Sequence, residues 1–389
     1  MEPGTVQDRL RPSDAGAAAP AARPRKKVSL AINTSKQNSL NVAVSATPGA
    51  PVVTDAGSLR GDGISVSMAG LRINEGGAEG DKLALSEFKT VRVLGEGTSG
   101  VVKLVKHRPT NGPYAMKVIQ LGCSEQERKQ ILIEVKTLHK SHVPGIITFF
   151  DAFYADNAVH IILEYMDCGS LAGVLKRHGS LPEPLLARVS GDMLGGLAHL
   201  HRVLKVVHRD IKPSNVLLNS RGEVKLADFG MSGQLASTFS RLASWVGTAA
   251  YMSPERISGA QYSYESDIWA FGVALWECAV GTYPYTKETA EGGASAGSAA
   301  AGGDGSASLL PEEQGQGLLF WDLLYLIVEC PPPQLPPDLF SDAFCDLVHS
   351  CMHADGVARP SAEELLGHRW LSEAGASGAS IAEWLKPDM

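Results

Sequence analysis

Phe88 is the first aromatic residue of the chain, because the 87 residues before it contain no Phe, Trp or Tyr. Ala, Gly, Ser, Pro and Asp dominate that stretch. A segment so poor in large apolar groups buries too little surface to offset its chain entropy. Residues 1–87 are therefore expected to form a disordered N-terminal tail, in which runs such as Val52-Val53 lead nowhere. Folded structure is expected from Phe88 onward.

From that point the pattern is α+β. Val91 and Val93, then Val101 and Leu104, bracket a glycine turn as a β-hairpin would. Tyr114 to Ile119 reads as a third strand. A Ser-x-x-Glu start at Ser124 opens a helix with Ile131, Val135 and Leu138 at helical spacing. Two more strands are expected near Ile147–Tyr154 and Val159–Tyr165, completing a small β-rich lobe over 88–165. Helical patterns then fill a larger lobe over 166–371, interrupted at 287–317 by a Gly/Ala/Ser insertion that reads as flexible chain. Residues 372–389 read as a C-terminal tail.

Composition removes several classes of function. Of 389 residues, 35 are Lys or Arg and 42 are Asp or Glu, so the net charge of −7 does not suit a nucleic-acid coat. No run of 18 apolar residues offers a membrane span, and no apolar leader segment stands near the first residues. Cysteines 123, 168, 278, 330, 345 and 351 make no CxxC pair and read as reduced thiols, which suits the cytoplasm with the nucleus as a second compartment. Cys345, His349, Cys351 and His353 can be written as a metal set on helical spacing. They sit among core-facing apolar positions, where buried free Cys is common, so a metal site is rejected.

Gly95-Glu96-Gly97-Thr98-Ser99-Gly100 suits either a dinucleotide turn or a flap over nucleotide phosphates. The dinucleotide form needs a helix directly afterwards. Here strand-like Val101 and Val102 follow, which favours the flap. Lys117, in Tyr-Ala-Met-Lys on the third strand, is placed to face phosphate oxygens. Glu134 lies on the following helix, where its carboxylate can orient that ammonium.

Then come His208-Arg209-Asp210-Ile-Lys212-Pro-Ser-Asn215 and Asp228-Phe229-Gly230. With these, the chain resembles the eukaryotic protein kinases from about Phe88 to Leu371. The resemblance implies the bilobal kinase fold and ATP with Mg²⁺ as cofactors. Asp210 would address the substrate hydroxyl, Lys212 the transferring phosphoryl group, and Asn215 and Asp228 the metal. ATP would lie against Leu94, Gly95, Glu96, Gly97, Gly100, Val102, Ala115, Lys117 and Leu218, with a hinge at Glu164–Met166 behind Leu163. Ser253-Pro254-Glu255, Asp267 and Arg359 read as scaffold.

Val246-Gly-Thr248-Ala-Ala-Tyr251-Met-Ser-Pro-Glu-Arg256, with the Lys-Pro-Ser-Asn upstream, narrows the resemblance to the mitogen-activated protein kinase kinases. Dual specificity toward Thr and Tyr in the loop of a downstream mitogen-activated protein kinase is implied. So is activation by an upstream kinase acting on the chain's own loop. Ser240 and Ser244 are spaced as in animal and fungal members, Thr238 and Ser244 as in plant members, and the 19-residue loop is the more plant-like. Arg209 would pair with the added phosphate. Arg25, Lys26 and Lys27, then Leu30 and Ile32, resemble the motif by which this family grips its target, the alternative being a nuclear-import signal. Two rival readings are another serine/threonine kinase of the same cascade and a pseudokinase scaffold. The second is disfavoured because Lys117, Asp210 and Asp228 are all present.

Overall fold

The computed structural model describes residues 51–54, 57–61, 64–73, 83–97, 100–122, 124–228, 249–261, 263–285, 320–376 and 378–386. The docking motif at 25–32, the loop hydroxyls Thr238, Ser240 and Ser244, and the insertion at 287–317 lie outside these residues.

The first element overturns an expectation. Four short strands, β1 (Val52–Thr54), β2 (Ser58–Gly61), β3 (Ile64–Ser67) and β4 (Gly70–Ile73), form an antiparallel sheet within the stretch read as disordered. Its residues alternate by face. Val53, Leu59, Val66 and Leu71 form one cross-strand row, and Val52, Arg60, Ser65 and Arg72 form the other. The apolar row joins the core of the small lobe, and Leu59, Ile64 and Val66 are 0%, 3% and 0% exposed. Each such side chain, fully buried, is worth about 1.5–3 kcal/mol. Aliphatic side chains thus do here what aromatics do elsewhere.

The small lobe is built on a five-stranded antiparallel sheet in the order β5-β6-β7-β9-β8. Its strands are β5 (Phe88–Gly97), β6 (Gly100–His107), β7 (Pro113–Gln120), β8 (Phe149–Ala155) and β9 (Ala158–Glu164). Between β7 and β8 runs α1 (Glu125–Lys140), started by Ser124, whose hydroxyl accepts the Glu127 N–H at 3.1 Å. Ile131, Leu132, Val135 and Leu138 of α1 share one core with Leu59, Ile64 and Val66 of the N-terminal sheet.

The large lobe is mainly helical. It begins with β10 (Gly169–Ser170), α2 (Leu171–His178) and α3 (Glu183–Ala198). Next come β11 (Val216–Leu218), β12 (Val224–Leu226), the single turn α4 (Pro254–Ile257) and α5 (Glu265–Val280). α6 (Phe320–Glu329), α7 (Asp342–Cys351), α8 (Ala362–Leu366), α9 (Arg369–Gly375) and α10 (Ile381–Leu385) complete it. α5 is apolar nearly all round and is buried along its length, as a central helix must be. The stretch read as a tail also packs: Ile381 and Leu385 of α10 enter the large-lobe core, and Trp384 stacks on His178 at 4.3 Å. Cys351 is fully buried in that core, and Cys345 packs against it. No helix among the described residues is long and apolar enough to cross a membrane.

Candidate active site

Lys117 is placed by the centre of the sheet. β7 lies between β6 and β9, with Lys117 opposite Val102 and Ile161, so its height is fixed on both sides. Its Nζ donates to Glu134 Oε1 of α1 at 2.8 Å and to Asp228 Oδ1 at 2.7 Å. Burial alone would lower the Lys117 ammonium, but the Asp228 and Glu134 carboxylates outweigh it and push the group up. For Asp228 burial works the other way, and Lys117 prevails, holding its carboxyl below the usual range. The lysine is therefore charged and aimed.

At Gly95 and Gly97 a Cβ would meet nothing within 4 Å, so the hairpin backbone is open to close approach there. Gly100 has no such freedom. Its φ is +127°, and a Cβ there would lie 2.4 Å from the Val118 carbonyl oxygen. Leu94 and Val102 pack into the same cluster as Ala115, Leu163, Met166 and Leu217. Together these offer an apolar slot beside Lys117. The Glu164 carboxylate is taken up by the Thr148 N–H at 2.6 Å and by Lys225, and the Glu164 N–H donates to the Thr148 oxygen at 3.0 Å.

One slot residue was misassigned from the sequence. Leu218 is fully buried in the large-lobe core, whereas its neighbour Leu217 packs against the slot cluster. Successive residues of a strand point to opposite faces, so a one-residue error moves the side chain into the other lobe.

The loop between α3 and β11 carries the second half of the site. Asn215 Nδ2 donates to the Asp210 main-chain oxygen and to Asp210 Oδ2, both at 2.8 Å, and Lys212 Nζ sits 2.9 Å from Asp210 Oδ1. With its amide nitrogen committed to Asp210, Asn215 keeps its carbonyl oxygen as the end able to bind a cation. Asp228, on the chain after β12, supplies further hard oxygens, the donor type that Mg²⁺ and Ca²⁺ prefer. Its position follows from β12, whose Leu226 N–H reaches the Gly145 oxygen at 2.8 Å while the Ile147 N–H reaches the Leu226 oxygen at 3.0 Å.

Asp267 of α5 holds this loop from below. It accepts the His208 N–H at 2.7 Å, the Arg209 N–H at 2.8 Å and His201 Nε2 at 2.8 Å. Arg209 has φ of 73°, a left-handed conformation that costs a non-glycine residue about 1–3 kcal/mol. Asp267 on its N–H and Arg256 on its carbonyl, at 2.8 Å, hold it there. Burial keeps the His208 ring below its ordinary value, and its Nδ1 accepts the Asp210 N–H at 3.3 Å. Glu255 and Arg359 form a two-pronged pair at 2.8 and 2.9 Å. Burial opposes that carboxylate, yet Arg359 draws it down to about 2.

His201 and Arg256 are absent from the sequence-derived site. His201 lies in a π turn, His199–Leu204, that continues α3, and nothing in the local sequence marks it as a partner of a residue on α5. Arg256 was visible only as the last residue of the Ser-Pro-Glu-Arg string.

Over residues 88–371 the sequence matches the family described as Protein kinase domain. It is 36% identical over 356 residues to mitogen-activated protein kinase kinase 1c of Physcomitrium patens, covering 87% of this chain and 95% of that protein. Against mitogen-activated protein kinase kinase 1 of Arabidopsis thaliana the identity is 39% over 328 residues, 82% of this chain and 86% of the relative. Dual specificity mitogen-activated protein kinase kinase 1 of Dictyostelium discoideum is 52% identical over 202 residues, 52% of this chain and 30% of the relative.

Proposed function

We propose that this chain, which belongs to the mitogen-activated protein kinase kinases of the protein kinase family, phosphorylates both the Thr and the Tyr of a Thr-x-Tyr activation loop in a target mitogen-activated protein kinase. As a protein kinase it uses ATP and a divalent metal, which the proposal takes to be Mg²⁺. ATP supplies the phosphoryl group, and the metal neutralises phosphate charge. The observation that carries the reading is Lys117 bonded to both Glu134 and Asp228 beside an Asp210 tied to Asn215 and Lys212.

The residues divide the work. Lys117 holds phosphate oxygens, and Asn215 and Asp228 are the oxygen donors for the cation. Asp210 orients the incoming hydroxyl and takes its proton as the new P–O bond forms and the bond to the departing ADP oxygen breaks. Lys212, beside Asp210, offsets charge on the group in transit.

The chain's own switch is proposed at Ser244, with Ser240 or Thr238 as the second hydroxyl. Added phosphate would find Arg209, which already forms part of the Asp210 loop. Arg25, Lys26, Lys27, Leu30 and Ile32 are proposed to dock the target, and an upstream kinase to supply the activating phosphates. Placement in the cytoplasm and nucleus belongs to the same proposal, supported by free cysteines at 168, 278, 330, 345 and 351.

The test uses full-length chain with Ser240→Asp and Ser244→Asp, ATP, Mg²⁺ and a catalytically dead mitogen-activated protein kinase. Mass spectrometry is expected to find phosphate on both loop residues, lost with Asp210→Ala. Phosphate confined to generic Ser/Thr peptides would assign the chain to another tier of the cascade. If nothing is transferred, the measurement is repeated with Thr238→Asp and Ser244→Asp, and a second blank on several targets would favour the scaffold reading.

A further inference from the structure

Helix α1 is held on two opposite sides. Leu132 and Glu134 are two residues apart, which sets them about 160° from each other around the axis. Glu134 faces Lys117 of β7. Leu132 faces the N-terminal sheet so closely that a Cβ on Gly61 would lie 2.9 Å from its Cδ1 and 3.1 Å from Pro51 Cα. A shallow groove lined by Ile64, Leu132, Ile133 and Lys136 marks the seam. The far edge of the sheet is fixed to β8, where Asp151 Oδ1 accepts the Leu71 N–H at 3.0 Å.

The front of the helix needs a support of this kind. One Glu134 oxygen meets Lys117, while Oε2 is buried without a hydrogen-bond partner among the described residues. A buried carboxylate with an unmet acceptor is drawn toward water. Seating it inward calls for a force from behind, and Leu59, Ile64 and Val66 supply apolar contact there.

We propose that the sheet β1–β4 is a positioning module for phosphoryl transfer: docked on the back of α1, it keeps Glu134 on Lys117, with Leu59, Gly61, Ile64 and Asp151 as positioning residues. When the sheet lifts away, α1 swings outward and Lys117 loses one of its two carboxylates. The rate of transfer then falls while the grip on the protein substrate is unchanged. The inference rests on the kinase reading of the site and not on the identity of the target.

The test uses full-length chain in three forms. Gly61→Val wedges the sheet off Leu132, Asp151→Ala removes the acceptor for Leu71, and Asp151→Asn keeps an acceptor oxygen. Transfer is followed on a catalytically dead mitogen-activated protein kinase and on a generic Ser/Thr peptide, so a wrong target shows as failure on the first alone. In Gly61→Val and Asp151→Ala, kcat is expected to fall about tenfold, the scale of a small misplacement of a reacting group. KM for the protein substrate should stay within about twofold, and Asp151→Asn should recover most of the rate. Beside Glu134→Gln, where the pair is already lost, Gly61→Val should change the rate by less than about twofold. An equal tenfold loss in both backgrounds would overturn the proposal, because general destabilisation acts whether or not Glu134 is present. Unchanged rates in variants whose amides at 59–66 have lost hydrogen-exchange protection would overturn it too. Should Gly61→Val fail to fold, the contrast between Asp151→Ala and Asp151→Asn decides.

Discussion

Asp267 accepts the main-chain N–H of Arg209 at 2.8 Å across 58 residues of sequence. The same carboxylate accepts His201 and the His208 N–H, so the loop bearing Asp210 is suspended from the most deeply buried helix of the large lobe. Burial works against this carboxyl, but the His201 bond and the amides hold it below the usual range.

His201→Ala is therefore expected to lower kcat by about ten- to a hundredfold through misplacement of Asp210. KM for ATP should change little, because the slot residues sit on other elements. Steady-state kinetics with a melting curve checks this. A raised KM for ATP with kcat intact would contradict it.

The two leucines of β11 separate cleanly. Leu217→Ala should raise KM for ATP severalfold with little loss of stability, because Leu217 is only partly buried and packs with the slot residues. Leu218→Ala should destabilise the fold by about 2–5 kcal/mol, as large-to-small changes in a core do, and leave KM for ATP near its parent value. Nucleotide titration and denaturant unfolding distinguish the two.

Gly100→Ala should abolish activity through the hairpin. The position has φ of +127° and the Val118 carbonyl oxygen in the way of any Cβ. Nucleotide affinity is the sensitive measurement, and binding within twofold of the parent would contradict the reading.

Glu277 gives a pH dependence. It is buried on α5 with the Tyr251 hydroxyl donating to it, and burial raises its carboxyl to about 7 against the Tyr251 bond. A folded form that holds its proton longer than the unfolded chain loses stability as pH rises from about 4.5 to about 7. At 1.36 kcal/mol per unit the effect reaches roughly 3 kcal/mol. Glu277→Gln should flatten that slope and melt higher than the parent at pH 8, with little difference at pH 5. Parallel melting profiles of the two proteins would refute the assignment.

Much of the candidate site's grouping was legible because its residues travel in short strings: Asp210, Lys212 and Asn215 lie within one loop, and the glycines within one hairpin. What was illegible depends on contacts between distant elements. Strands β1–β4 have only three or four residues each and no aromatics, and their apolar row gains its burial only against α1 and β8. The alternation in Ile64-Ser-Val66-Ser is the local strand signal that this stretch carries. The choice between Leu217 and Leu218 required the register of a three-residue strand, and the link from His201 to Asp267 required the packing of α3 on α5.

The buried side chains of Leu59, Ile64 and Val66 also bear on how the protein can be handled. The family match begins at Phe88, an inviting place to shorten the chain. A chain begun there would bare Leu132, Val135 and the outer strand β8 together, a greasy patch beside an unpaired strand edge of the kind that drives self-association. Such a truncated preparation should precipitate or form soluble aggregates, while one that retains the residues from Pro51 onward stays monodisperse.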